Sequence, residues 1–464
     1  MRARATSLRE GRGRARRNLA RKINCAEPGA LRLSWRPEAS GCMGDDGERW
    51  SLARRIGLSF VGIYFCLNIV PLMLLSVPLL DDWFGMLWLT LWVKLMPILG
   101  NAALGIEGPI SMEIAGSSDM TWNYVQQFWY LVLAVVGALV WAALPHRRSP
   151  FPTQYAWLRI ILRHGLAMMM LSYGFIKVFG VQMPPLGPAE LSRTYGESSP
   201  GGLLWSFMGF SPFYKGFTGM AEVIGGALLL WRRTATLGAL VTAGVMAHVA
   251  VLNFCYDVPV KIYSSLFLLM ALFLAAHEAR ALIDLFVRGR PAALADPPPV
   301  LGRRMRIARV VLKAVVFVSI LETPVKLAIR QATPRPEPGP LAGAWEVVEF
   351  VHDGQVRPWS QHDELRWRQL VIMPYPMAMV RGMRGQKTGY GVAYDEAGGK
   401  LTLTSMADPD ATHVLALERP AVDEMILRGP LAGGTVTVRL QRLDTEHAPL
   451  MTRGFRWVIE DGFG

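Results

Sequence analysis

Seven apolar runs, at about 56–80, 122–144, 155–180, 213–231, 235–256, 261–279 and 307–328, constrain this chain more than any other feature. Each approaches the ~20 residues that cross a bilayer core as a helix. A helix is the only open-ended structure that satisfies its own backbone there. Composition agrees: 18% of the 464 residues are charged, where soluble domains carry about 25%. The segment 83–105 is also apolar but carries Lys94, Pro97 and Asn101. Its Trp and Leu residues fit a helix lying at the membrane interface.

Charge asymmetry orients the spans. Arg54–Arg55, His146–Arg148, Arg232–Arg233 and the basic cluster 288–309 mark alternate loops, and positive loops stay in the cytoplasm. Asp81, Asp82, Glu107, Glu113 and Asp119 mark one intervening loop, Glu190 and Glu197 another. The expected topology has a cytoplasmic N-terminus, seven crossings and an extracytoplasmic C-terminus, in a bacterial inner membrane.

The first 42 residues hold eleven Lys or Arg and three acids, a net +8 of the total +13. This aperiodic tail (1–50) reads as disordered, or as upstream sequence with the true start at Met43, rather than as an arm for nucleic acid. The four cysteines show no zinc or disulfide spacing.

After residue 329 the pattern changes. The Pro-rich stretch 330–340 reads as an extended linker between a membrane domain (51–329) and a small all-β domain (341–464). There "AWEVVEFV", "RQLVIM", "MAMVRG", "GYGVAY", "KLTLTSM", "HVLALE", "EMILRG" and "TVTVRLQRL" alternate, separated by turns such as "DEAGGK" and "PLAGG". Several short strands in a row make an antiparallel barrel or sandwich, hollow or filled.

An ionisable group inside a membrane marks a functional candidate. Lys177, Glu222, His248, Asn253, Asp257, Lys261, Asp119, Tyr195 and Tyr214 all map to the outer half of the expected topology, as a polar pocket would. Each also has a plainer role. Lys177 can snorkel, Asp257 and Lys261 can be an ordinary i,i+4 pair, and His248 a hydrogen-bonded core residue. "NFCYDVPVKIYSS" (253–265) is a turn between spans, broken at Pro259, that could line such a pocket.

The stretches "RHGLAMMMLSYGFIKVFG" (163–180), "GMAEVIGGALLLWRR" (219–233), "GSSDMTWNYV" (116–125), "YGESSPGGLLWSFMGFSPFYKGFTG" (195–219) and "RGFRWV" (453–458) give the chain its resemblance to the DoxX-like membrane family. The resemblance implies that Arg163, Lys177 and Glu222 are the family's polar helix positions, and that quinone is a candidate cofactor, since some relatives are quinone oxidoreductase subunits. Gly343-Ala344-Trp345 looks like the GxW start of lipocalin-like barrels, which implies a basic residue packed over Trp345, either Arg439 or Arg453.

Two classes of function stand beside each other. One binds a lipid-soluble ligand, membrane lipid or an envelope-protein partner at the outward pocket. The other is a membrane oxidoreductase subunit working with quinone, with Glu222 as proton acceptor. No GxGxxG, CxxC or haem-ligating histidine pair is present, so no cofactor motif is evident. A transporter would need paired helix breaks in two related halves, and no such repeat is visible.

Overall fold

The computed structural model describes residues 51–464 except 78–79, 108–109, 111–117, 145–150, 293–302, 333–338, 432, 455–456 and 459–464. The basic tail, Met43 and most of the expected linker lie outside the described residues. A helical region comes first: α1 (Leu52–Leu75), α2 (Asp81–Leu104), α3 (Thr121–Ala143), α4 (Phe151–Val178), α5 (Pro188–Leu191), α6 (Pro200–Phe210), α7 (Pro212–Leu230), α8 (Ala235–Cys255), α9 (Lys261–Ala276), α10 (Ala279–Phe286) and α11 (Arg303–Ala332). The last helix runs through residues 330–332, the first three of the expected linker.

By length and composition, α1, α2, α3 and α8 could each cross a membrane, and α9 with α10, bent by 75°, could form a fifth span. Of the helices expected to span, α4, α7 and α11 fall outside this set. Each carries ionisable residues, among them Arg163 and Lys177, Lys215 and Glu222, and Lys313 and Lys326. Conversely α2, expected at the interface, is one continuous helix through Pro97. By this test it is long and apolar enough to cross, against the interface expectation. Trp92 and Met96 pack with Val125 and Tyr130 of α3 and with Tyr64 and Leu67 of α1, and Trp129 Nε1 donates to the Leu99 carbonyl at 3.1 Å.

Helix α4 is the hub. Leu166 to Leu171 are buried in sequence, with Ile69, Leu229, Met246, Met270 and Ile320 around them. A helix apolar on every face belongs in the centre of its domain. Glycines bring α7 against it: a Cβ on Gly174 would come within 2.7 Å of the Gly219 carbonyl, and one on Gly219 within 2.7 Å of the Gly174 carbonyl. Backbones touch there because neither residue has a side chain, the usual device where helices pack without solvent.

The β region is a closed antiparallel barrel of eight strands. β1 (Gly343–His352) pairs with both β3 (Trp367–Ile372) and β9 (Gly434–Arg442), and closure runs through β4 (Met377–Gly382), β5 (Lys387–Asp395), β6 (Lys400–Ser405), β7 (Thr412–Ala421) and β8 (Glu424–Leu431). A two-residue β2 (Gln355–Val356) folds back on β1 through Asp353-Gly354, both at positive φ, as such a tight hairpin requires. All eight alternating segments of the sequence are strands. Trp345, Leu370, Leu401, Leu415, Leu427, Val438 and Leu440 point inward and fill the interior, which eight strands leave just wide enough for side chains. A small helix, α12 (Pro449–Thr452), follows.

Candidate functional site

Between α4 and α7 the chain makes a 33-residue excursion containing α5, a 3₁₀ turn (Tyr195–Glu197) and α6. Three local features shape it. Ser199 Oγ accepts from Gly202 N at 3.1 Å and starts α6, with Pro200 at its first position. Lys215, buried on α7, donates Nζ to the Met183 carbonyl at 2.9 Å and so ties down a residue held at positive φ. Gly209 lets α6 pass the Pro184 carbonyl, which a Cβ would meet at 2.4 Å. Against this excursion lies the α8–α9 turn, and the two enclose a cavity of about 610 Å³. Gln182, Glu190, Arg193, Trp205 and Asp257 line it, with Val258 to Val260. That volume is in the range of small-molecule sites, and its lining combines apolar surface with a few polar groups, as in such sites.

The barrel grips one wall of this cavity. Arg381 on β4 is 2% exposed. It donates Nη2 to the Ala189 carbonyl at 3.2 Å and Nη1 to the Ser192 carbonyl at 3.3 Å. Ser192 Oγ donates to Gln369 Oε1 at 3.1 Å, and Ala189 packs on Ala344 and Val371. Glu197 pairs with Arg368 and stands 4.0 Å from Arg381. Burial pushes the Glu197 carboxyl up, but hydrogen bonds from Thr194 and the nearby Arg368 and Arg381 outweigh it and hold its pKa below the usual value. Burial lowers the Arg381 pKa, with Glu197 opposing. The outer face of β1, β3 and β4 thus holds the segment that supplies Glu190 and Arg193 to the cavity.

The expected polar pocket separates into distinct places. Lys177 and Glu222 form a buried ion pair between α4 and α7, beside the Gly174–Gly219 contact. Asp119 accepts from the backbone N–H of Lys261 at 2.7 Å and of Ile262 at 3.0 Å, and lies 3.8 Å from Lys261 Nζ. A carboxylate there satisfies the orphan donors that open α9 and complements the helix dipole. Asp119→Ala should therefore cost about 1 kcal/mol of thermal stability, read as a lower melting temperature in detergent; an unchanged melt would mean that water replaces the cap at no cost.

Asp257, at φ +50, turns the chain and pairs with Lys261 at 2.8 Å. Asn253 Nδ2 lies 3.4 Å from the Val260 carbonyl. His248 is exposed on α8, Tyr195 is exposed, and Tyr214 packs edge-on against Phe207. Arg163 is half-buried on α4. Of the residues singled out as pocket candidates, Asp257 alone lines the cavity. Glu190, Arg193 and Trp205, which also line it, sit in or between the two short helices of the excursion, where too few turns repeat for periodicity to mark them.

In the barrel, Trp345 is fully buried and donates Nε1 to the Leu341 carbonyl at 2.8 Å. Arg439 faces outward beside Glu349 at 3.7 Å, because its neighbours Val438 and Leu440 take the inward positions. Arg453 lies half-buried just after α12. The basic residue opposite Trp345 in the ladder is Arg442, which donates to the Ala342 carbonyl at 3.1 Å. Among the described residues no group of three His, Cys, Asp or Glu side chains could hold a metal ion.

No family model and no solved structure matches the chain. A curated relative does: it is 31% identical over 121 residues to the uncharacterized protein YwoB of Bacillus subtilis (strain 168), an alignment covering 26% of this chain and 77% of that one.

Proposed function

Starting from a chain that belongs to the family of the uncharacterized protein YwoB, we propose an integral membrane protein that binds a lipid-soluble ligand in the cavity between the 179–211 excursion and the α8–α9 turn. The observation that carries this is the cavity itself: about 610 Å³, with Trp205, valines and prolines beside a few polar groups. In this reading α1, α3, α4, α7, α8, α9 and α11 are the seven spans and α2 lies at the interface, as its Trp- and Leu-rich sequence with Lys94 and Asn101 favours. The N-terminus is cytoplasmic, following the basic loops. The cavity and the barrel then share the outer side of a bacterial inner membrane, and the DoxX-like kinship of residues 163–180 and 219–233 belongs to the same proposal.

The test is mass spectrometry of small molecules that copurify with the protein in gentle detergent, wild type beside Pro185→Trp. Pro185 is an exposed lining residue, so the added bulk enters the cavity rather than the core. An apolar or isoprenoid molecule retained by wild type and lost from the variant is expected. Bulk phospholipid alone, in equal amount in both, would refute a ligand at this place.

A further inference from the structure

We propose that the ligand of this cavity is an anionic amphiphile, its phosphate or carboxylate head bound by Arg193 and its apolar chain laid against Trp205. This rests on the cavity reading above and adds the chemical class of the ligand.

Three charged residues line the cavity: Glu190, Arg193 and Asp257. The two carboxylates already have partners. Asp257 is paired with Lys261 at 2.8 Å and its side chain is 80% exposed. Glu190, also exposed, accepts from Gly187 N at 3.1 Å. Both charges are therefore screened by water or answered by the protein itself. Arg193 differs. The residue is half-buried and, among the described residues, its guanidinium hydrogen-bonds only Ser206 Oγ, at 3.4 Å. Its Nε is buried with no partner, and among the described residues it makes no ion pair. A permanent cation lining a cavity with so weak a contact has donors to offer there, and the planar guanidinium fork matches a carboxylate or phosphate.

The surroundings strengthen that preference. Arg193, Arg368, Arg381 and Lys387 act on one another at this junction, against Glu190 and Glu197. Glu197 stands with Arg368 and Arg381 and is not among the contacts of Arg193. The local excess is positive, and an anion relieves it. The rest of the lining is hydrocarbon-like: Pro184, Pro185, Leu186, Trp205, Val258 and Val260. A free inorganic ion would leave that surface unused, whereas an attached chain covers it.

The experiment uses the full-length protein held in amphipol and titrated calorimetrically with dihexanoyl phosphatidic acid, dihexanoyl phosphatidylcholine and inorganic phosphate. Wild type should bind the phosphatidic acid at least about tenfold more tightly than the phosphatidylcholine, as one charge-assisted bidentate contact implies. Arg193→Gln should lose that preference, and Arg193→Lys should keep part of it. A dibutyryl phosphatidic acid should bind more weakly than the dihexanoyl form, a comparison made on wild type that stands even if a variant fails to fold. Equal affinity for the two amphiphiles, with both excluded by Pro185→Trp, would overturn the anionic head while leaving the cavity reading intact. Inorganic phosphate binding as tightly as phosphatidic acid would overturn the amphiphile. No binding of any of them would overturn the anionic amphiphile, while the copurification experiment decides the cavity reading separately.

Discussion

Glu222→Leu alone is expected to destabilise the protein by about 3–5 kcal/mol, the cost of leaving one member of a buried ion pair uncompensated. Glu222 is 3% exposed and Lys177 9%. The two meet because Gly174 and Gly219 let α4 and α7 touch. Both are buried between the helices, so removing Glu222 strands the Lys177 ammonium without its partner. Lys177→Met should cost a comparable amount by stranding the carboxylate. The double variant Lys177→Met/Glu222→Leu should regain most of the loss, because two apolar side chains of similar volume need no desolvation. Thermal unfolding in detergent reads all three. A single variant within about 1 kcal/mol of wild type would mean that the survivor escapes to water or neutralises itself, and that the pair does not hold the helices together.

The second large effect is expected at Arg381. Arg381→Met removes hydrogen bonds to the Ala189 and Ser192 carbonyls and a charge partner of Glu197 from a buried place. A loss of about 3 kcal/mol in the attachment of residues 189–197 is expected, since bonds from charged donors contribute about 1.5–3 kcal/mol each. The eight-stranded barrel, with its own filled core, should stay folded. Hydrogen exchange separates the two: amides of the 189–198 segment should exchange about a hundredfold faster, while those of β6 to β8 stay protected. Equal protection of both regions would show that Ala344 and Val371 hold the segment by packing alone.

Acid should loosen the same contact. The Glu197 pKa is depressed in the folded protein, so its pairing contributes fully above the ordinary carboxylate value and is lost as pH falls through the depressed one. Exchange of the segment should rise over that acid window in wild type and much less in Glu197→Gln.

How much of this was legible beforehand differs by element. The eight strands could be read because alternation is local: each inward residue, from Trp345 to Leu440, follows from its neighbours. The apolar runs were legible for the same reason, though which of them cross is another matter: α2, expected at the interface from its Trp and Leu residues, is long and apolar enough to be a span. Glu222 could be picked out as an ionisable group on an otherwise apolar helix, but Lys177, which could have snorkelled, is its partner only because α4 and α7 pack together. Arg439 faces outward beside Glu349, because ladder register and not proximity in sequence decides which residue stands opposite Trp345, and that residue is Arg442.

The residues by themselves determined that this chain has apolar helices followed by an antiparallel β-domain, since hydrophobic period and run length are properties of short segments. Tertiary structure decided where a ligand could sit. Asp119 caps a helix that starts 142 residues later, Arg381 holds carbonyls about 190 residues earlier, and Arg193 faces a cavity walled partly by the α8–α9 turn. Contacts at that separation leave no periodic trace, because a charged residue in an irregular segment acquires its partner, or lacks one, only when distant elements pack around it.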